Sequence, residues 1–589
     1  MSYPLEKDPK SRWSQYPLPS LIGGLNTDER ADVLRSDQVV DALNLFVKKK
    51  ELVHDTGYVT LGTGTLASIM KRTIQYITAA GGIQLIGISK NSVYIYSTTH
   101  SQWQYVKGTA STTLNGAQVS GTTNLVVASS TGFLTGEKVG ITLTTGAQQL
   151  DTITNVPDGT HITIAAPGLT GNASNGAAVV RAVVLTGSDN YPVMAINVPS
   201  NNWLVFTNNV DYVKRYDGTD CINVPGLTTT SCVDVALYNS ALFLFATTEG
   251  GTYHPTRVRR SEIGDPTTWA GGTAGFDDLL DTSGAIIGAD VLGPYLVVYK
   301  TRTIYRGEYV NVGGLYYQFN PMLHGDTGEG LLATDAIVNI GSSHIFLGNS
   351  NVYRYIGDFS IEPLGDDIFT LLFSNNADVN TSKLALSFGV HVEGLREVWF
   401  FYPSGGATWP DSMLRYNLKN GAWTRRNFTA PMTSAGVYSQ QANFAWSGLV
   451  GSWASQVWQW NSRVSTSGSP IILLCPTTTN IVVQYNFITT TDNGTTVSAV
   501  LETRDFLWSG GDIRTDRIEM YCQGLSILIQ YSTDQGSTWR TWNTVSNSTL
   551  VRSSSHKQVV CDGIRFRFTC SDANFKMRWM SLTWRPESV

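Results

Sequence analysis

The stretch "IQLIGISKNSVYIYSTTHSQWQYV", residues 83–106, decides the fold. An apolar strand enters a polar turn, a tyrosine-rich strand follows, and after another turn a third strand carries Trp103 and Tyr105. Short apolar runs broken by Asn, Ser and Gly clusters are the mark of antiparallel strands joined by tight turns. The same grammar returns at 202–224, 242–269, 295–319, 344–365, 396–426 and 443–462. Recurrence every 40 to 60 residues or so is the period of four-stranded propeller blades. One such sheet leaves both faces bare, whereas six or seven set radially cover one another. The sequence therefore predicts an all-β chain built on a β-propeller of about six to seven blades, against the alternative of unrelated sandwiches.

Composition agrees. The 589 residues hold 56 Gly, 26 Tyr, 21 Phe and 16 Trp with only 15% charged residues, a β-type balance rather than a long-helix one. Residues 1–60 read as an extended N-terminal arm in which 28–44 could hold one short helix. A first blade is expected at 61–107 and the remaining blades at 186–469. Between them, 108–185 is rich in Thr, Ser, Gly and Val and has no Trp, so it reads as an inserted small β domain. Long alternating strands at 470–589 predict a C-terminal β-sandwich.

A net charge of -5 lacks the basic excess of a protein that grips nucleic acid through counterion release. No apolar run reaches the roughly 18 to 20 residues of a membrane span, and "MSYPLEKDPKSRW" lacks the apolar core of a signal peptide. A soluble, cytoplasmically made protein is expected. The six cysteines, at 221, 232, 475, 522, 561 and 570, show no zinc spacing and are expected to be reduced and mostly buried.

Motifs point to structure before chemistry. "STDQGSTW" places Ser532, Asp534, Gly536, Thr538 and Trp539 in the Asp-box pattern of sialidase propellers. Mechanically it is a hairpin turn: Asp accepts backbone N–H bonds, Gly takes positive φ and Trp covers the turn. A sialidase would also need converging arginines and a Tyr nucleophile paired with a Glu. Arg257, Arg259, Arg260, Arg302 and Arg306, with Tyr305 and Glu308, are the candidates for that role. "TGFLTGEKVG" has glycines at 132 and 136 and Lys138, but not a phosphate-loop spacing, and reads as a hairpin. The acidic groups Asp277/Asp278/Asp281, Asp326/Glu329 and Asp366/Asp367 lack calcium-loop spacing and read as turns or subunit contacts. Blade aromatics such as Trp103, Tyr105, Trp203, Tyr216, Trp269, Tyr305, Tyr353, Tyr355, Trp423 and Trp458 could stack sugars or bases, but at blade period they read as core. No catalytic residue, cofactor or metal is assigned.

Two segments carry a family resemblance. The arm, with Gly23, Gly24, Leu25 and Asn26, then Asn44, Gly57 and Tyr58, resembles the N-terminal arm of bacteriophage tail nozzle or hub proteins of short-tailed phages. "RVRRSEIGDPTTW" resembles a second hallmark of that family through Arg257, Val258, Ser261, Ile263, Gly264, Asp265, Pro266 and Trp269. "SHIFLGNSNVYRYIGDFSIEPLGDDI" is similar to a third. The likeness spans roughly 20–107 and 186–589.

It implies a non-enzymatic virion protein, a homohexameric ring in the tail below the portal and adaptor, with tail fibres or spikes nearby, assembled in the host cytoplasm. Double-stranded DNA would pass through its lumen without sequence-specific binding. The arm would dock on the adaptor or a neighbouring subunit. The arginines of the 257–269 segment are expected to pair with acidic groups of a neighbouring blade or subunit, and Trp269 to pack against the next blade. The alternatives are a carbohydrate-binding or glycan-degrading propeller and a protein scaffold outside any virion.

Overall fold

The computed structural model describes residues 13–586 apart from 19, 65, 79–80, 228, 324–327, 375–376, 440–469 and 508–510. The regular structure of the described residues is almost entirely strand, with one four-residue α-helix, Phe369–Leu372, between two blades and a few short 3-10 helices. Among the described residues no helix is long and apolar enough to cross a membrane.

Five separate four-stranded antiparallel sheets follow in chain order, and a sixth set of four antiparallel strands forms one end of a 15-stranded sheet that runs on through the arm into the C-terminal part. Blade 1 is Met70–Ile77, Ile83–Ser89, Val93–Ser97 and Gln102–Tyr105; blade 2 runs from Met194 to Asn223 and blade 3 from Thr230 to Asp278. Blade 4 runs from Ile286 to Leu323, blade 5 from Ile337 to Pro363 and blade 6 from Phe388 to Asn427. Blade 7 takes three strands late in the chain, Met432–Tyr438, Ile471–Pro476 and Val483–Tyr485, and its fourth from the arm, Tyr58–Thr60. Val483 pairs with Thr60 and Tyr485 with Tyr58, antiparallel. The first strands of successive blades neighbour one another in a closed circuit, that of blade 7 returning to that of blade 1. The propeller therefore has seven blades, and its ring is closed by hydrogen bonds between the two ends of the propeller sequence.

Apolar residues from adjacent blades fill the space between them. Blades 1 and 2 share Tyr76, Ile86, Ile88, Leu204 and Phe206; blades 3 and 4 share Phe243, Phe245, Leu296, Val298 and Tyr305. The blade aromatics belong to this core: Trp103, Tyr105, Tyr216, Trp269, Tyr305, Tyr355 and Trp423 are all buried. The candidate copy at 443–462, with Trp458, lies outside the described residues.

The segment after blade 1 forms a six-stranded sheet between Lys107 and Ala182 with its own core of Leu125, Phe133, Val139, Ile141, Ile153 and Ile162. Lys138 begins a strand there and its Nζ bonds Thr152 Oγ1 across to the next one.

The C-terminal part is a sandwich around one core. Its longest strand, Ile513–Ser532, pairs with Lys576–Pro586 through its first half and with Gly563–Cys570 through its second. Gly524, at φ +146°, stands where it crosses between layers, and a Cβ there would press on Cys570, Ile527 and Phe575. All six cysteines are free and buried.

Three expectations need correction. The arm is no free extension. Ser14–Leu18 pairs with Lys576–Pro586, Glu51–His54 with the start of that same strand, and Asp41–Leu43 with Ala499–Glu502. Leu43 also bridges to Arg425 on the outer strand of blade 6, so the arm stitches sandwich to propeller. The helix at 28–44 is replaced by turns and by the strands Gln38–Val39 and Asp41–Leu43. The Asn26 side chain accepts the N–H groups of Asp28 and Glu29, and Val39 and Ala42 gain more from the sandwich core than from a short exposed helix. Finally, the boundary drawn at 469/470 falls inside blade 7, because Ile471–Pro476 is its second strand.

Closure leaves no room at Gly57, where a Cβ would lie 1.9 Å from the Thr491 carbonyl oxygen. Gly57→Ala is predicted to lower the stability of the whole chain by about 1–3 kcal/mol or more, as overpacking against backbone does. Urea denaturation checks this; an unchanged midpoint would contradict closure at this joint.

Candidate functional site

The segment 257–269 is a blade-edge joint. Arg257 reaches Asp278 through two bonds of 2.9 Å, with its guanidinium 3.8 Å over the Phe276 ring. Arg259 Nη1 lies 2.6 Å from Glu249, and Arg260 pairs with Asp277. These acids all belong to blade 3 itself, which corrects the expectation of partners on a neighbouring blade or subunit. The pairing follows from register: Arg257 faces Asp278, and Val258 faces Asp277, on adjacent strands of one hairpin.

Beyond the strand the chain turns. The Leu242 N–H donates to Ser261 Oγ, and Gly264 takes φ +78°. Asp265 accepts from Thr267 N–H and from the Thr267 and Thr268 hydroxyls, bonds that hold its carboxyl below the ordinary range. After Pro266, Trp269 donates Nε1–H to the Pro266 carbonyl and packs on Val198, Val205, Val224 and Leu227. The tryptophan thus fills the seam with blade 2, the preceding blade rather than the following one.

The proposed sialidase-like group does not converge. Tyr305 is buried with its hydroxyl on Thr282, Arg306 pairs with neighbouring Glu308, and Arg302 stands exposed on a turn. Among the described residues no cluster of His, Cys, Asp and Glu could hold a metal ion. Asp366 and Asp367 serve as hydrogen-bond acceptors for Asn351 and Asn26; Asp326 lies outside the described residues.

The arm motif is also a joint. Leu25 is fully buried beside Trp423 of blade 6, and Gly24, at φ +79°, has no space for a side chain, since a Cβ would sit 2.5 Å from the Trp423 carbonyl oxygen. Gly23 N–H bonds Asp37 O, and Asn26 Nδ2 bonds Asp367 Oδ1 at 2.9 Å. Asn44 donates to Ser498 O in the approach to the sandwich and accepts from Asn427 N–H on blade 6. The Asp box likewise forms the turn of the long C-terminal hairpin. Asp534 takes the Thr538 N–H and the Ser532 hydroxyl, which lowers its pKa to about 2, Gly536 is at φ +91°, and Trp539 is covered by Arg567 at 3.8 Å.

Two charged groups were not singled out from sequence. The first gathers Arg415, Arg426, Asp55, Glu397, Asp492 and Tyr485, all buried, where arm, blade 6, blade 7 and the short strand Thr491–Asp492 after it meet. Arg415 bonds Asp55 at 2.6 Å and Glu397 at 2.7 Å; Arg426 bonds Asp492 and the Thr56 carbonyl; Tyr485 Oη is 2.5 Å from Asp55 Oδ1. Arg415 also lies over the rings of Phe46 and Trp399. Burial alone would raise the Asp55 pKa, but the two guanidiniums and the tyrosine hydroxyl outweigh it and lower it. Two arginines, carboxylates and a tyrosine superficially form a sialidase-like set. Here they are bonded to one another inside a closed interface, so the arrangement performs cross-linking. Its members run from residue 55 to residue 492, and no local spacing could reveal them.

The second group lies among the innermost strands. Arg72 of blade 1 contacts both oxygens of Asp335 at 2.5 Å. Beside them a cavity of about 210 Å³ is lined by Arg72, Thr73, Asn339, Gly389, His391 and Gly436. Inner strands approach so closely that a Cβ on Gly389 would meet Val338 and one on Gly436 would meet Thr73. Asp234 is also buried here, and accepts Val235 N–H and Ala289 N–H; burial, with Asp290 and Asp335 nearby, pushes its pKa up to about 8.

No family model matches the chain, and no curated protein matches it. Among solved structures it is similar to BamB from Moraxella catarrhalis, at 12% identity and TM-score 0.31 over 73% of this chain and 100% of that one. It is similar to virginiamycin B lyase from Staphylococcus aureus at 11% and 0.26, over 59% and 96%. An exo-β-1,3-galactanase from Phanerochaete chrysosporium gives 10% and 0.21, over 79% and 100%. At these TM-scores the likenesses carry no argument about this chain, and the propeller rests on its own strand pairing.

Two outcomes follow. Asp55→Asn leaves two buried guanidiniums short of a partner and is predicted to cost about 3–5 kcal/mol in urea denaturation; a change within error would mean the cluster is not coupled to folding. The Asp234 carboxyl, ordinarily near 3.8, keeps in the folded chain a proton that the unfolded chain has lost, up to about pH 8. Folding therefore takes up a proton over that interval, and this group's contribution to stability falls as pH rises through it. Asp234→Asn should flatten the slope of stability against pH between about 4 and 8; an unaltered slope would refute the assignment.

Proposed function

We propose that this chain is a structural subunit of a tail-nozzle ring of a short-tailed phage, a non-enzymatic wall around the path by which the genome leaves. The observation that carries this reading is the placement of the residues behind the family resemblance. Gly23, Gly24, Leu25, Asn26, Asn44 and Gly57 sit where arm, propeller and sandwich are fastened together, and Ser261, Gly264, Asp265 and Trp269 fasten blade 3 to blade 2. Each is held for its backbone geometry or packing, which is what a load-resisting wall requires of its sequence.

In this reading the conduit is the lumen of the assembled ring. The propeller axis is unsuited to a duplex about 20 Å across, since the Arg72–Asp335 pair joins the inner strand of blade 1 to the entry of blade 5, three blades away around the ring. A net charge of -5 disfavours adhesion of DNA to the wall, so the genome slides without sequence-specific contact. Closed ring symmetry leaves no unpaired interface, and a sixfold ring would meet adaptor, fibres and spikes through surfaces repeated on each subunit. The mature site is the virion tail, after assembly in the host cytoplasm.

Quantitative mass spectrometry of purified particles, referenced to the major capsid protein, tests the reading. About six copies per particle are expected of a sixfold ring. Absence from the particle would overturn it.

A further inference from the structure

Blades 4 and 5 leave an apolar knob on one face. The strand Ile304–Val312 pairs with its inner neighbour only as far as Gly307, so Glu308–Val312 and Leu315–Gln318 stand out as a two-stranded ribbon. It carries exposed Tyr309 and, at its tip, Val312 at 70% and Leu315 at 48% exposure. The corresponding turn of blade 5 exposes Ile356 at 59% and Phe359 at 72%. Arg306 Nη1 bonds the Gly357 carbonyl at 2.9 Å, which sets this turn beside the base of the ribbon. Large apolar residues at this exposure on corresponding turns of adjacent blades mark a contact surface rather than scattered surface hydrophobics.

A receptacle of matching chemistry exists elsewhere on the chain. A cleft of about 150 Å³ in the sandwich is lined by Tyr16, Phe506, Ile513 and Leu582, with Leu507 at 49% exposure on its lip. Tyr16 and Phe506 meet edge to face at 5.3 Å, an arrangement that accepts a further ring. Arg504 borders the cleft. Its guanidinium bonds the carbonyls of Leu34 and Asp32, and among the described residues it makes no ion pair and its Nε is buried without a partner. Next to Phe359, Asp358 is bonded to Ser360 and has no cationic partner among the described residues. Asp32 and Asp505 also line the cleft, but each carboxylate is paired with an arginine, Arg30 and Arg565, so the charge left over beside the cleft is that of Arg504 and is opposite to that of Asp358 beside the knob.

We propose that Phe359 and its apolar neighbours seat in the Tyr16–Phe506 cleft of a second copy of this chain, with Asp358 facing Arg504. This rests on the ring reading above and names the contact that closes the ring. A knob and a cleft on different parts of one subunit form a head-to-tail interface, which generates a ring when its rotation closes.

The test uses the full chain. The doubly substituted Phe359→Cys, Leu507→Cys protein is oxidised mildly and run without reductant; the native thiols are all buried and give little background. A ladder of disulfide-linked oligomers ending at the ring size is expected, with none from either single variant. Phe359→Asp, at an exposed position, should melt as the parent does yet run as monomer in native mass spectrometry.

Parent rings that survive Phe359→Asp and give no ladder would overturn this contact while leaving the ring reading in place. Loss of rings in Phe359→Asp without a ladder in the double variant would overturn the cleft as receptacle. Phosphatidylglycerol vesicles that bind the parent but not Phe359→Asp, with rings intact, would make the knob lipid-facing and overturn the proposal. A parent chain monomeric at every concentration would instead remove the ring reading itself.

Discussion

Everything in this fold depends on the buried cluster of Arg415, Arg426, Asp55, Glu397 and Asp492 around Tyr485. Removing five charged groups from water is costly, and mutual attraction offsets that cost only when every partner is in place. The partners come from the arm, blade 6, blade 7 and the short strand Thr491–Asp492 after it. Within blade 6 Arg415 and Glu397 pair with each other, but the Arg426 guanidinium finds its acids only in Asp492 after blade 7 and Asp55 on the arm, so the cluster penalises states in which blade 6 lacks those segments. Asp55 Oδ2, 3.7 Å from Arg426 and without a hydrogen bond, is held in the cluster by charge alone.

The cluster fixes where the arm runs, and the arm fixes the rest. From Asp55 the chain passes directly into Tyr58–Thr60, the outer strand of blade 7, so clamping the arm also closes the seven-blade ring. Upstream, Asp41–Leu43 joins blade 6 to the sandwich through Arg425, which holds Asp41 in two bonds of 2.7 Å. Propeller and sandwich are therefore one mechanical piece. Pulling the sandwich away would have to break blade 6, the arm and the ring closure together. Such coupling is what the ring wall proposed above would need.

The sequence made some of this legible and hid the rest for physical reasons. Blades 1 to 6 could be read because strand, turn and aromatic strand recur in each. The inserted sheet stood out by its lack of tryptophan, and the Asp box by its turn chemistry. Tyr58–Thr60 could not be read as a blade strand, since three residues carry almost no period and their partners lie more than 400 positions away. For the same reason the boundary at 469/470 cut blade 7, and residues 28–44 invited a helix where tertiary partners draw them into turns and strands. The arginines at 257–260 were readable as paired, but the choice of partner depended on the register of one hairpin, which composition does not encode.

Native-state hydrogen exchange tests most directly whether the arm is an integral clamp. The amides of Leu43, Val53, Tyr58 and Thr60 are compared with those of blade 6, such as Val398 and Phe400. If the arm is locked by the buried cluster, both sets exchange only through global unfolding and slow together with added stability. If the arm amides exchange orders of magnitude faster while blade 6 stays protected, the arm opens independently and the coupling of cluster, ring closure and sandwich is wrong.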